Sequence, residues 1–259
     1  MKAHTNKLCA VVTYSYTMAH LAEEAGVDMI LVGDSATRVF SGLPDHRNMS
    51  LEQIFYHTQA VARACKRVKI MVDLPQATME EGIEATVKAS RWLIEEGKAH
   101  SIKVEGSSQL ALDIVAAIAH ADIPVVGHFT MLDIKDDRVH AKQQTNQEAV
   151  YQAMLALGKE FEIKGASTLL LSKIRPSIAA AITRSVDIPT IGIGSGPDCD
   201  GQILVLEDLL GLTYRNHPYY VKQYAQLGKL TSEAIRSFIS EVHEGKYPDK
   251  SHSQPRQQE

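Results

Sequence analysis

Short apolar runs alternate along the chain with longer segments in which apolar residues recur every three or four positions. The apolar runs predict β-strands near residues 8–13, 28–33, 69–73, 101–105, 124–128, 167–171 and 188–193. The longer segments predict helices near residues 16–26, 51–66, 79–97, 107–121, 146–163 and 176–186. Strand–helix–strand repeats indicate parallel strands joined by right-handed crossovers. Because the strand runs are almost continuously apolar, they fit a sheet that is buried on both faces.

The eighth repeat is ambiguous, and it decides between two architectures. The run ILVLED at 203–208 is compatible with a strand or with part of a helix. Eight strands close a (β/α)8 barrel, which uses about 250 residues as one domain, whereas fewer strands leave an open, doubly wound sheet. The stretch 217–245 predicts two further helices. We therefore predict one α/β domain over residues 1–248 and a loose polar tail over 249–259.

Composition narrows the class of function. The 259 residues are 44% apolar, and their net charge is −4 with no basic run, which argues against a nucleic-acid partner. No apolar stretch approaches the roughly 20 residues that cross a bilayer, and the N-terminus predicts no signal peptide. The scattered Cys9, Cys65 and Cys199 support neither a disulfide framework nor a structural zinc site. We expect a cytoplasmic protein with small-molecule partners.

Acidic residues end three consecutive predicted strands. They are Asp34, Asp73 and Glu105. The carboxyl ends of parallel barrel strands form one face, where neighbouring strands lie about 4.8 Å apart. Packed carboxylates repel one another unless a cation or a proton intervenes, and ligand sets made only of oxygen suit Mg²⁺ or another divalent ion. Each acid alone could cap a helix, stabilise a turn or face solvent, but the three together favour a metal site.

Two further residues belong to the same strand ends. Lys103 lies two positions before Glu105 and therefore points to the same face of the strand. A buried lysine needs a partner, which could be a bound carboxylate or oxyanion, or Glu105 itself in a core ion pair. His128 ends the fifth run as a potential proton carrier, although a single histidine is more often structural. The glycine-rich segment 192–201 could hold an anion, or it could be only a tight turn.

Together these residues resemble the ketopantoate hydroxymethyltransferase family over about residues 8–248. The resemblance rests on LVGDS with YHTQAV downstream, VDLP, IKVEG, IPVVGH, IPTIGIGSGPDCDGQILVLEDLLGL and EVHEGKYP, which match in order and spacing. It implies a closed (β/α)8 TIM barrel of the phosphoenolpyruvate mutase/isocitrate lyase type, with extra C-terminal helices. It also implies a homo-oligomer, often a decamer.

The resemblance also implies a reaction. A one-carbon unit passes from methylenetetrahydrofolate to a 2-oxo acid, 3-methyl-2-oxobutanoate or a relative, through a metal-stabilised enolate. The implied Mg²⁺ ligands are Asp34, Asp73 and Glu105, the implied substrate-binding residues are Ser35, Asp34, Asp73 and Lys103, and the implied catalytic positions are Lys103, His128 and Ser172. Chelation would make the substrate C–H more acidic, and Lys103 would stabilise the enolate oxygen.

The chain departs from the family at the proton acceptor. The family has a glutamate after the sixth strand, and aligning AAAIT at 179–183 puts Ser172 at that position. Serine is a poor base without a partner, and loss of a placed general base typically lowers the rate by about 10²–10⁴-fold. His128, Lys173 and Glu207 are candidate substitutes. Lys173 qualifies only if burial or neighbouring cations lower its pKa.

Other departures lie nearby. Ser15 stands where the family usually has aspartate, and GDSATR lacks the glycine that commonly follows GDS. The segment GHFTMLDIKDDRVHAKQQT replaces the glycine-containing lid motifs, with no glycine between Gly127 and Gly158. Two alternatives to hydroxymethyl transfer therefore stay open. One is a metal-dependent retro-aldol or lyase reaction on a 2-oxo acid, and the other is a non-catalytic paralogue that binds metal and oxo acid.

Overall fold

Eight parallel strands close a barrel in a computed structural model that describes residues 6–44, 49–131, 147–213 and 217–253. The strands pair in chain order, and the eighth returns to the first. They are β1 Leu8–Val12, β2 Met29–Val32, β3 Lys69–Asp73, β4 Ser101–Glu105, β5 Val125–Thr130, β6 Thr168–Ser172, β7 Thr190–Ile193 and β8 Gly201–Val205. The predicted closed barrel is confirmed, and the ambiguous run at 203–208 begins in β8 and continues into a helix.

Helices connect successive strands, as the alternating pattern predicts. They are α1 Tyr16–Ala25, α2 Ala36–Val39, α3 Leu51–Ala64, α4 Gln76–Glu80, α5 Ile83–Glu95, α6 Gln109–His120, α7 Gln147–Ile163, α8 Pro176–Ser185, α9 Leu206–Leu209 and α10 Leu227–His243. A short 3₁₀ turn spans Lys250–His252. Among the described residues, no helix combines the length and apolarity needed to cross a membrane.

Two helix predictions were wrong in detail. The single helix expected over 79–97 is divided into α4 and α5, because Gly82 between them adopts a φ of 106° that is open chiefly to glycine. The stretch 217–245 was expected to hold two helices, but only α10 forms there. The apolar and aromatic residues of 217–226 gave a helix-like pattern without becoming helical.

The chain divides into two compact units, residues 1–206 and 207–259. The first unit contains the eight strands and helices α1–α8, and the second contains α10. The single domain over 1–248 and the tail over 249–259 stay predictions.

Serine side chains cap the N-termini of helices α1 and α3. Ser50 caps α3 in a complete capping box, in which its Oγ accepts from the Gln53 N–H and its own N–H donates to Gln53 Oε1. Ser15 caps α1 by accepting from the Met18 N–H at 3.4 Å. The serine that replaces the family aspartate at position 15 therefore has a structural role in this chain.

The barrel core fixes the position of β5 through one close contact. Gly127 of β5 lies so near Phe161 of α7 that an added Cβ would be 2.4 Å from Phe161 Cδ1. Phe161 is fully buried and stacks on Phe129, with their ring centroids 5.5 Å apart. We expect Gly127→Ala to lower the free energy of unfolding by about 1–3 kcal/mol through overpacking, as measured by urea denaturation. Adding Phe161→Leu should relieve part of the clash, and strictly additive losses in the double variant would contradict this explanation.

Candidate active site

Strand register brings four charged or titratable side chains together at the carboxyl ends of β3, β4 and β5. Asp73 is the register partner of Lys103, and Glu105 is the register partner of His128. Lys103 Nζ lies 2.6 Å from Asp73 Oδ1 and 3.5 Å from Glu105 Oε2. His128 Nδ1 lies 2.9 Å from the same Glu105 oxygen. These four residues, from Asp73 through Lys103 and Glu105 to His128, are called the charged relay below.

Asp34 joins the relay from the end of β2. Its backbone N–H donates to Asp73 Oδ2 at 2.9 Å. Burial raises the pKa of the Asp34 carboxyl to about 7, the Asp73 and Glu105 carboxylates add to this rise, and Lys103 opposes it in part. Burial alone would lower the pKa of Lys103, but Asp73, Glu105 and Asp34 outweigh that effect and raise it. The lysine is therefore held as an ammonium ion inside an acidic cluster.

A cavity of about 400 Å³ adjoins this cluster. Asp34, Asp73, Glu105 and Lys103 all contribute to its lining, so the structure brings the three sequence-predicted metal ligands and the predicted lysine to one cavity. Apolar residues line it as well, namely Leu74, Met79, Leu110, Ala111 and Ile114. Among the described residues, Ser35, His128 and Ser172 are not part of this lining. Charged groups set into a partly apolar cavity are typical of a small-molecule site.

The donor chemistry of the cluster fits a divalent cation. Asp34, Asp73 and Glu105 offer only oxygen, and their combined charge exceeds that of the one ammonium of Lys103. In the arrangement seen here, however, Lys103 takes the place beside Asp73, and no three Asp, Glu, His or Cys side chains of the described residues are grouped as a metal site. The metal ligands thus stay a prediction, which the excess negative charge supports.

Ser35 makes its own contact beside the relay. Its Oγ lies 2.8 Å from the hydroxyl of Tyr14, either of which can donate. Tyr14 is almost fully buried, and its carbonyl oxygen lies 2.9 Å from His57 Nδ1. The sequence interpretation did not identify Tyr14, because within VTYSY only Ser15 was compared with the family. The apolar run of β1 ends at Val12, so it predicts no role for a tyrosine two positions later.

The end of β6 carries Ser172, the position at which the family resemblance implies a glutamate. Ser172 is buried and lies in register with Thr130 of β5 and Ile193 of β7. Lys173 is exposed in a left-handed conformation with a φ of 54°, so burial, one of the two conditions under which it could act as a base, is not met. Glu207 belongs to the second unit, and burial raises the pKa of its carboxyl.

The glycine-rich segment 192–201 is a tight turn tied to β6. Ser195 Oγ donates to the Leu171 carbonyl at 2.7 Å and accepts from the Ile174 N–H at 3.1 Å. Gly194 and Gly196 have positive φ angles of 63° and 83°. These contacts give the segment a structural function. The altered lid segment falls largely on residues 132–146, which lie outside the described residues.

The raised pKa of Asp34 predicts a pH-dependent cost to stability. The carboxyl has an ordinary pKa of 3.8 and a folded-state pKa of about 7. Below pH 4 or so it is protonated in both states, and as the pH rises to about 7 only the unfolded state ionises freely, so the folded state loses stability. With EDTA present, we expect Asp34→Asn to match the wild type near pH 4 and to exceed it by about 2–4 kcal/mol near pH 8.

Urea denaturation across this pH range measures the difference. A constant difference at every pH would contradict it. Adding Mg²⁺ at pH 8 should stabilise the wild type and not the variant, because a cation bound to the ionised carboxylates would remove their repulsion.

Comparison with known proteins identifies what this chain is similar to. A family model described as ketopantoate hydroxymethyltransferase matches residues 1–250. Relatives named 3-methyl-2-oxobutanoate hydroxymethyltransferase include those of Geobacter metallireducens, at 38% identity over 98% of this chain and 95% of the relative, and of Pelobacter propionicus, at 34% identity over 98% and 94%.

Solved structures show the same fold. A 2,3-dimethylmalate lyase described as a PEP mutase/isocitrate lyase superfamily member gives a TM-score of 0.62 at 14% identity, covering 96% of this chain and 87% of its own. A phosphoenolpyruvate phosphomutase from Streptomyces platensis gives 0.63 at 16% identity, covering 97% and 88%. At these identities the likeness concerns architecture alone.

Proposed function

Since the chain belongs to the ketopantoate hydroxymethyltransferase family, a family of transferases, we propose that it transfers a hydroxymethyl group from methylenetetrahydrofolate to a 2-oxo acid. The acceptor is 3-methyl-2-oxobutanoate or a relative. The observation that carries this proposal is the convergence of Asp34, Asp73, Glu105 and Lys103 on one partly apolar cavity. Such a cavity offers charge for the carboxylate and oxo group of the acceptor and an apolar wall for its side chain.

Each group of the cluster has a task in the proposed reaction. Asp34, Asp73 and Glu105 would hold a divalent ion, which would polarise the 2-oxo carbonyl when bound. The Lys103 ammonium stabilises the negative oxygen that develops as the C3 proton leaves, because it is already held in place by Asp73 and Glu105. The resulting carbon nucleophile then bonds to the one-carbon unit, whose C–N bonds to the folate break with uptake of one water molecule, which supplies the hydroxyl oxygen and leaves tetrahydrofolate.

We propose His128 as the substitute base: it lies outside the cavity lining but contacts Glu105, which is part of that lining. Its ring is buried, its Nδ1 lies 2.9 Å from Glu105 Oε2, and neither ring nitrogen makes a hydrogen bond among the described residues. Glu105 orients the ring and stabilises the imidazolium that would form on proton transfer. Lys173 is exposed and Ser172 carries no basic group, so both fit this role less well.

Deuterium exchange at C3 of 3-methyl-2-oxobutanoate tests the proposal without needing the folate. The full-length protein, with Mg²⁺ in D₂O, should exchange the C3 proton, as followed by ¹H NMR, and should form the hydroxymethylated product once methylenetetrahydrofolate is added. Binding of 2-oxo acids with no exchange across a panel of them would instead indicate the non-catalytic paralogue. Release of an aldehyde or acid from hydroxylated oxo acids would indicate the lyase.

Assembly and location are further proposals. We propose a homo-oligomer, a decamer as the family resemblance implies, and light scattering on the purified protein measures the number of subunits directly. A cytoplasmic location stays a prediction.

A further inference from the structure

The cavity has more room and a longer lining than the acceptor would use. Its volume of about 400 Å³ falls within the range of about 300–1,000 Å³ that is typical for drug-sized ligands. A five-carbon 2-oxo acid placed at Asp73, Lys103 and Glu105 would occupy only the charged part. The rest of the lining includes Gln76, Met79 and Glu80 from α4 and Leu110 from α6. We call these four residues the outer lining.

The outer lining combines hydrogen-bond acceptors with an apolar surface. Gln76 and Glu80 lie one helical turn apart, and Gln76 Nε2 donates to Glu80 Oε1 at 2.8 Å. Among the described residues Glu80 makes no other hydrogen bond or ion pair, so Oε2 is open and Oε1 keeps a second lone pair, and both oxygens can accept. Met79 is half-buried, and Leu110 keeps 45% of its surface exposed although it is a large apolar residue.

On the basis of the proposed function, we propose that the outer lining binds the heterocycle of the folate donor. The pyrimidine end of that ring presents a ring N–H beside an exocyclic amino group. Two neighbouring N–H donors match the two oxygens of a carboxylate, as in other bidentate pairs. Met79 and Leu110 supply an apolar surface on which a flat ring can lie. Donor and acceptor then share one cavity, which direct formation of a carbon–carbon bond requires.

The chain provides a matched control at the next residue. Glu81, like Glu80, is exposed, but it lines a separate cavity together with Thr78 and Trp92. Glu80→Gln and Glu81→Gln therefore remove the same charge from adjacent positions, and only the first alters the outer lining. A general effect of net charge or of α4 stability would change both variants alike.

Isothermal titration with tetrahydrofolate, in the presence of the 2-oxo acid and Mg²⁺, tests the assignment on the full-length protein. We expect Glu80→Gln to raise the Kd by about tenfold, as for a lost charge-assisted hydrogen bond, and Glu81→Gln to leave it unchanged. In the transfer assay, Glu80→Gln should raise the KM for methylenetetrahydrofolate far more than the KM for the oxo acid.

Equal Kd values for the two variants, or no binding of tetrahydrofolate to the wild type, would overturn the assignment. Equal Kd values leave C3 exchange and hydroxymethyl transfer by the wild type intact, so they separate failure of the assignment from failure of the proposed function, whereas no binding of tetrahydrofolate would overturn the proposed donor as well.

Discussion

Asp73→Asn is expected to lower the rate of C3 deuterium exchange by at least about a thousandfold. Asp73 is buried, accepts from the Asp34 N–H and pairs with Lys103 at 2.6 Å. The neutral amide keeps the size of the side chain but removes a proposed cation ligand and leaves the Lys103 ammonium without its nearest counter-charge. Exchange measured by ¹H NMR at saturating Mg²⁺ gives the rate.

A surface pair provides the control for this variant. Lys164 and Asp113 form an ion pair at 3.0 Å, with the lysine 34% and the aspartate 40% exposed. Asp113→Asn makes the same chemical change outside the cluster, and exchange should stay within about twofold of the wild type. Near wild-type exchange by a folded Asp73→Asn protein would refute the role given to this carboxylate. Circular dichroism establishes whether each variant is folded.

Lys103→Met is expected to lower exchange by about 10²–10³-fold and to destabilise the protein by about 3–5 kcal/mol at pH 8. Methionine fills a similar volume, but it leaves the carboxylates of Asp34, Asp73 and Glu105 facing one another without the ammonium. Their mutual repulsion grows as they ionise, so the variant should lose stability as the pH rises from 5 to 8. Urea denaturation at both pH values measures this loss.

Mg²⁺ distinguishes electrostatic from packing effects in this variant. If repulsion causes the loss, Mg²⁺ should restore a large part of the stability at pH 8 and little of it at pH 5. An equal loss at both pH values, unaffected by Mg²⁺, would identify a packing defect instead. Lys164→Met, the matched change in the exposed pair, should alter stability by less than about 1 kcal/mol at either pH.

The barrel and the position of its charged residues could be predicted from the sequence, because both follow from local patterns. Continuous apolar runs identified the strands, and the acids at their ends had to meet on one face once the strands were parallel. The register between neighbouring strands, by contrast, cannot be predicted from the local pattern of either strand. Lys103 was expected to pair with Glu105 or with a ligand, whereas its nearest partner is Asp73, which the register of β3 and β4 places opposite it.

The residues that escaped prediction depend on contacts that are distant in sequence. Tyr14 reaches Ser35 across 21 positions, and Gly82 divides a helix whose apolar periodicity continues through the break. The identity of the residue that accepts the proton likewise depends on which side chains are neighbours in space. His128 gained support only when its ring was found beside Glu105, with Nε2 buried and unpaired among the described residues.

The charged relay is fixed by hydrogen-bonded register in β3, β4 and β5, while Ser172 ends the neighbouring strand β6 and Lys173 follows it. We therefore expect the charged relay and the end of β6 to differ in how well they tolerate mutation. A library randomised at positions 172, 173 and 175, with the buried Ile174 kept, should retain folded barrels with the cluster undisturbed, whereas one randomised at 103–105 should be mostly inactive. For directed evolution, the end of β6 is thus the place where new chemistry can be sampled while Asp34, Asp73, Lys103 and Glu105 are inherited unchanged.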